Sequence, residues 1–388
     1  MGSLQQIIES GLKTRLGGAS LPPHMWRAAE RITLCRTSAL GGHVQACPEG
    51  HGERHWYNSC KHRSCPVCNY TSTERWLDRQ QTRVLNCDYY HVIITVDSAL
   101  DRLWLANVRG MTDILFRAAR DTIFELLSDP KFLGAEPGMI IALHTWGQMQ
   151  GLHPHVHCLV TGGGLTPDGA WRAVNNGFLL PGRVARDLFR GKFLAMVRQG
   201  VESGKLAVPA GERLQQVLNL LNKLGRKKWN VCIRERYAHA RGVLTYLGRY
   251  MRGGSISNRR IVSWDEEMVR FRYKDYREDG GKQKEMELSL HDFVRRVLMH
   301  VPEPGQKVVR SYGIFAGSRR TDLNRCREKL GQGPVEEPEF LGWQECTAKF
   351  GAKDPSRCPV CGAKMITRET FRPEVRGRTR KFPLKEAA

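Results

Sequence analysis

No apolar run in this sequence approaches the roughly 20 residues that a membrane-spanning helix needs, and its first residues lack the charged-then-apolar layout of a secretory signal. The expectation is an intracellular, cytoplasmic protein with no membrane partner. The chain also lacks a GxxxxGK[ST] loop, so nothing points to ATP as an energy source. Neither an internal repeat nor a low-complexity tract is present, which excludes a solenoid or a largely unstructured chain. Carboxylates are scarce: 39 Asp and Glu stand against 61 Lys and Arg, a net charge of +22. That imbalance points to a polyanion as partner, because basic side chains release the counterions condensed on a nucleic-acid backbone. The clusters Arg226/Lys227/Lys228, Arg259/Arg260, Arg295/Arg296, Arg319/Arg320 and Arg376/Arg378/Arg380/Lys381 are spread along the chain and form no single tail.

What the sequence has in abundance is thiol. Twelve cysteines in a reducing compartment argue for metal or buried thiols and against disulfides. Potential ligands between positions 35 and 68 include Cys35, His43, Cys47, His51, Cys60, His62, Cys65 and Cys68. Cys65 and Cys68 form a CPVC knuckle, whose two thiolates wrap one tetrahedral ion. The spacing favours Cys47, His51, Cys65 and Cys68 as one Zn²⁺ quartet, two short pairs flanking the hairpin segment HWYNS. Cys35, His43, Cys60 and His62 remain available for a second ion or an exchanged ligand, or serve as buried thiols and surface imidazoles. A second CPVC at Cys358 and Cys361 has Cys346 upstream and no nearby histidine; it reads equally as half of a C-terminal zinc knuckle or as a turn with free thiols. Cys87, Cys158, Cys232 and Cys326 have no ligand-like spacing.

The 388 residues suffice for two or three domains. A helical start over Leu4 to Leu16, a break at Pro22 and Pro23, the zinc cluster and a helix from Thr71 to Leu85 form a first module. From Tyr89 the β-branched pattern predicts a strand, followed by a helical stretch from Leu103 to Leu127 and two strands, Gly138 to Trp146 and His153 to Thr161. Strand, helix and hairpin make half of a ferredoxin-like α+β sandwich with a central antiparallel sheet. Trp171 to Leu180 suggests a short hairpin, and helices are expected around Val184 to Glu202, Glu212 to Leu224 and Ala238 to Met251. SNRRIVSW, MVRFRYKDYR and MELSL alternate as strands, and HDFVRRVLMHV as an amphipathic helix. Beyond about residue 300 the chain is rich in Gly, Pro and charge, which suggests an appended region with some disorder.

The chemistry lies in two short segments. In HPHVHCLV, the strand period of two sends His155 and His157 to one face while Val156, Cys158 and Val160 take the other, so two neutral nitrogens converge on one cation. In YLGRY, Tyr246 and Tyr250 are four apart on a helix and share a face. A divalent ion held by His155 and His157 would orient a phosphodiester while a phenol attacks phosphorus and is joined to a DNA 5′ end. A third ligand is needed. Gln148, across the hairpin, is the favoured one, with His153 and His144 as competitors.

The order of these segments, with CRTSALGGH and SCKHRSCPVC, then YHVIIT, then HPHVHCLV with GGG, then YLGRY, ISNRRI and FRYKDYR, resembles the HUH-type, two-tyrosine rolling-circle transposases of bacterial insertion sequences. The resemblance spans nearly the whole chain. It implies a transposase that nicks and rejoins single-stranded DNA at element ends and in target DNA, with Mg²⁺ or Mn²⁺ in catalysis and Zn²⁺ in structure. It implies a zinc-binding domain over residues 1–85, an HUH nuclease domain with its tyrosine helix over 86–300, and a C-terminal region over 301–388. His155 and His157 match the metal ligands, Tyr246 and Tyr250 the nucleophile pair, and Gln148 the position of a third ligand. One departure concerns the zinc domain: Cys47 is followed by His51 where a CxxC pair is expected. Two other readings stay open at this point, a plasmid replication initiator or relaxase with the same nicking chemistry, and a non-enzymatic zinc-finger nucleic-acid binder.

Overall fold

The computed structural model describes residues 3–18, 20–237, 248, 254–276, 281–339, 341–348 and 354–373. Helix α1, Leu4–Lys13, starts on a capping box in which the Ser3 side chain accepts from Gln6 N–H and Gln6 Oε1 accepts from Ser3 N–H. Helix α2, Pro23–Thr33, begins where the sequence suggested a break. Proline at the first helical position gives up only an N–H that has no intrahelical partner anyway, so the PP pair starts a helix there. Strands β1, Gly42–Ala46, and β2, Glu53–Tyr57, form an antiparallel hairpin, and α3, Asn69–Gln81, follows the first CPVC knuckle.

The central unit runs β3, Tyr89–Thr95; α4, Asp101–Ala106; α5, Val108–Ser128; β4, Glu136–Trp146; β5, Leu152–Leu165; β6, Trp171–Ala173; α6, Gly182–Glu202; α7, Leu214–Gly225; and β7, Asn230–Tyr237. After it come β8, Ile261–Trp264; β9, Met268–Asp275; β10, Lys282–Ser289; a helix over Leu290–Met299; β11, Val309–Gly313; a helix over Arg320–Lys329; and β12, Ile366–Phe371. The central sheet has the order β11-β4-β5-β3-β7, every pairing antiparallel, with β6 added to the end of β5. Strand, helix, strand, strand, helix, strand in the spatial order β4-β5-β3-β7 is the ferredoxin-like α+β arrangement that the sequence implied.

Alternation along the strands decides what each face does. Tyr90, Val92 and Ile94 of β3, with Val156, Cys158 and Val160 of β5, enter one core with Leu115 and Phe116 of α5 and Phe189 and Phe193 of α6. Truncating either of the fully buried phenylalanines of α6 to alanine would cost about 3–5 kcal/mol. The opposite face carries Tyr89, Ile140 and Leu159, covered in part by Leu85, Ile314, Phe315 and Leu323. A second sheet, β10-β9-β8, packs Phe271 with Phe293 of the Leu290–Met299 helix against Leu4, Ile7 and Ile8 of α1. The chain beyond residue 300 is interleaved with earlier parts: β11 forms an edge of the central sheet, and β12 pairs with β1 in a third sheet, β12-β1-β2. No helix among the described residues is long and apolar enough to cross a membrane.

Candidate metal centre and nucleic-acid cleft

On the sheet face away from α5 and α6, the ligand nitrogens of His144, His155 and His157 lie within 4.8 Å of one another. Register brings them together, since His144 of β4 pairs directly with His155, and His157 sits opposite Ala142 two residues farther along the ladder. His144 and His157 are 3 % and 4 % exposed. Burial pushes His155 down to about 4, so its imidazole is neutral at physiological pH, the form that binds a cation. His155 Nδ1–H donates to the His153 carbonyl at 2.7 Å, which leaves Nε2 to face the group. His91 of β3, 1 % exposed, places Nε2 2.8 Å from His157 Nδ1 and fixes that ring through its far nitrogen. Trp146 stacks on the His144 ring at 4.5 Å.

Gln148, favoured from sequence as third ligand, lies elsewhere. It is exposed in the turn between β4 and β5, beyond the strand alternation that aims the histidines, and its side-chain oxygen accepts from Lys274 N–H of β9 at 3.3 Å. Its carbonyl is held by the Arg260 guanidinium. His144, a competitor in the sequence reading, is the residue that joins His155 and His157. His91 was missed, although an imidazole among the apolar residues of YHVIIT is the same kind of signal that singled out His155 and His157.

A cleft of about 280 Å³ reaches the group at His144, lined among others by His144, Trp146, Arg63, Ser72, Trp76 and Arg79. Three of these come from α3, so the helix after the zinc cluster forms one wall of the cleft. Tyr246 and Tyr250 lie outside the described residues. Gly248 between them is helical and buried, and a Cβ there would come within 2.7 Å of Leu77 on α3, so glycine permits close approach to that helix.

The cysteines sort differently from their spacing. Cys35 after α2, Cys60 after β2, and Cys65 and Cys68 before α3 bring four sulfurs within 4.8 Å of one another. The Cys60–Cys68 and Cys35–Cys65 separations are 3.6 and 3.7 Å, and Cys35–Cys68 is 3.0 Å. Thiolates around zinc at about 2.3 Å stand about 3.8 Å apart, whereas a disulfide holds its sulfurs at about 2.05 Å, so this quartet has the size of a tetrahedral metal site. The expected quartet of Cys47, His51, Cys65 and Cys68 is thereby split. Cys47 and His51 lie instead with Cys358 and Cys361, about 300 residues later in the chain. Each short-spaced pair stays together, but which pairs meet is set by the pairing of β1 with β12. His62 Nδ1 accepts from Ser64 N–H at 3.2 Å, His43 lies within β1, and Cys346 is buried apart from the second CPVC. Backbone N–H groups of Cys361 and Val360 point at the Cys358 sulfur and lower its thiol to about 7.

Comparison with known proteins decides the family. Residues 4–96 match the transposase zinc-binding domain of the IS91 type, and residues 138–322 match the putative transposase family designated Y2. A putative transposase of Sinorhizobium fredii is 38% identical over 363 residues, covering 91% of both chains. The chain belongs to the two-tyrosine transposases of bacterial insertion sequences. The transposase for insertion sequence element IS801 of Pseudomonas savastanoi pv. phaseolicola is 29% identical over 352 residues, covering 87% of this chain and 81% of its own. Among solved structures, a conjugative relaxase, TrwC, bound to oriT DNA in a copper-bound form covers 42% of this chain and 68% of its own, at 11% identity and a TM-score of 0.23. That likeness is too distant to bear on chemistry. In the transposase, the four-cysteine quartet falls within the zinc-binding match, while His144, His155, His157, Tyr246 and Tyr250 all fall within the second match.

Proposed function

We propose that this transposase nicks and rejoins single-stranded DNA at the ends of its element through a covalent 5′-phosphotyrosine intermediate, in the cytoplasm at the nucleoid. The observation that carries the reading is the convergence of three imidazoles on the sheet face away from α5 and α6, with His144 also lining a cleft edged by Arg63 and Arg79. His144, His155 and His157 would hold the catalytic ion, and three nitrogen donors favour a first-row transition ion such as Mn²⁺ over Mg²⁺. When bound, that ion would polarise the scissile phosphate and neutralise charge on its oxygens.

The chain's own residues supply the rest. His91 holds His157 in one tautomer, and the His153 carbonyl does the same for His155, so the ring nitrogens are oriented before DNA arrives. Arg63 and Arg79 meet the backbone, and Trp146 and Trp76 offer aromatic faces on which unpaired bases stack without sequence preference. A phenol of Tyr246 or Tyr250 attacks phosphorus, gives up its proton, and displaces the 3′ oxygen, which takes one up. The phosphotyrosine conserves the energy of the broken diester, so a new 3′ hydroxyl reverses the step without ATP. Support for the tyrosines' role comes from Gly248, which packs on the helix that walls the cleft. The four-cysteine quartet at Cys35, Cys60, Cys65 and Cys68 would hold a structural Zn²⁺ that anchors the start of α3.

Purified protein with Mn²⁺ should cleave an oligonucleotide carrying the element's end and remain attached to its 5′ side, seen as a shifted band after denaturation. His155→Ala should abolish cleavage while DNA binding persists, because basic contacts to phosphate do not need the ion. Cleavage without any protein–DNA adduct would refute the mechanism.

A further inference from the structure

The donor set formed by Cys47, His51, Cys358 and Cys361 is assigned by no family match, since two of its members lie more than 260 residues beyond the zinc-binding domain at 4–96. We infer that these four residues bind a second structural Zn²⁺ that fastens the C-terminal strand to the N-terminal hairpin. The donor atoms lie within 4.8 Å of one another, with Cys47 Sγ at 3.5 Å from both His51 Nδ1 and Cys361 Sγ. With Zn–S of about 2.3 Å and Zn–N of about 2.0–2.1 Å, a tetrahedral ion requires S···S and S···N separations of about 3.5–3.8 Å. Three thiolates and one imidazole suit zinc and suit neither magnesium nor calcium.

The backbone is arranged for the same purpose on both sides. Cys47-Pro48-Glu49-Gly50 turns with Gly50 N–H donating to the Cys47 carbonyl, and Cys358-Pro359-Val360-Cys361-Gly362 turns with Gly362 N–H donating to the Cys358 carbonyl. Each turn closes on a glycine at φ of +75°, where a side chain would be strained. Both turns sit at one end of the β1–β12 ladder, where Ala46 pairs with Ile366. Among the described residues the other contacts of this sheet are few, the Tyr57–Phe371 ring pair at 5.8 Å being one. Its apolar cluster is Cys47, Cys358 and Met365, five of the six residues of β12 are exposed, and the Arg368–Glu53 ion pair is at the surface, where such pairs contribute about 0–1 kcal/mol. Three short strands with so small a core need a staple, and a zinc ion is one. This inference does not depend on the nicking chemistry.

Differential alkylation of the full-length protein tests it. Cys361 is exposed, so burial cannot shield it. In zinc-replete protein, Cys47, Cys358 and Cys361 should all resist N-ethylmaleimide, and all three should become reactive together on chelation, read by peptide mass spectrometry. The Cys358→Ser/Cys361→Ser variant should carry one zinc equivalent fewer than wild type. Rapid alkylation of Cys361 with zinc content undiminished would overturn the inference, as would unchanged zinc in the double variant. Should the variant fail to fold, the wild-type alkylation pattern alone decides.

Discussion

Replacing His91 by alanine probes how the candidate centre is held, because this residue meets the site through His157. Its Nε2 lies 2.8 Å from His157 Nδ1 with both rings buried. For His157 to ligate through Nε2 its proton must sit on Nδ1, so His91 Nε2 acts as the acceptor that selects this tautomer. Removing the acceptor strands a buried N–H, a loss of about 1–3 kcal/mol in stability. Outer-shell partners of this kind change metal affinity by about 10–100-fold. His91→Ala should therefore raise the Mn²⁺ concentration for half-maximal adduct formation by about 10–100-fold, with the adduct largely recovered at saturating Mn²⁺. His91→Gln, which keeps an acceptor oxygen, should lie between the two. The assay is the denaturing-gel adduct titrated with Mn²⁺, beside thermal melting. An unchanged Mn²⁺ midpoint in His91→Ala, or activity lost equally at every Mn²⁺ concentration, would refute the reasoning.

Other outcomes follow from the same geometry. Tyr246→Phe combined with Tyr250→Phe should eliminate the covalent adduct, and each single variant, tested on cleavage and on rejoining, should show which phenol serves which step. Cys60→Ser or Cys65→Ser should release zinc and unfold the start of α3, seen as lower metal content and protease sensitivity around residues 60–81. Gly248→Ala should destabilise by about 1–3 kcal/mol through the clash with Leu77, with partial recovery when Leu77 is shortened to valine. Burial also pushes His300 down to about 4, while the unfolded chain takes up that proton near 6.5. Between these values the unfolded state binds more protons, so stability rises with pH across the window, by about 3 kcal/mol for a fully buried imidazole. Chemical denaturation of wild type and His300→Gln between pH 4 and 7 should show the variant's flatter dependence.

Several features were legible in the sequence because they depend on local period. Alternation put His155 and His157 on one face and Val156, Cys158 and Val160 on the other, and the strand–helix–hairpin order implied the ferredoxin-like sheet. Other features depended on local context that the pattern does not carry. The strand β7 carries little signal in the sequence, since NVCIRERY mixes charge into its alternation and its place beside β3 comes from pairing. The PP pair looked like a break and proved to be a helix start.

The sequence by itself determined which kinds of chemistry the chain can hold: thiol pairs at knuckle spacing, imidazoles on one side of a strand, and two phenols four residues apart in the chain. Only the tertiary structure decided the partners. His144 joins His155 through the register of β4 against β5, His91 reaches His157 from β3, and Cys47 with His51 meets Cys358 with Cys361 because β12 lies beside β1. Each residue's side of its strand follows from the period of two, which is written in the chain. Its neighbour across the ladder follows from which strands pair and in what register, and that is settled by the packing of the whole sheet.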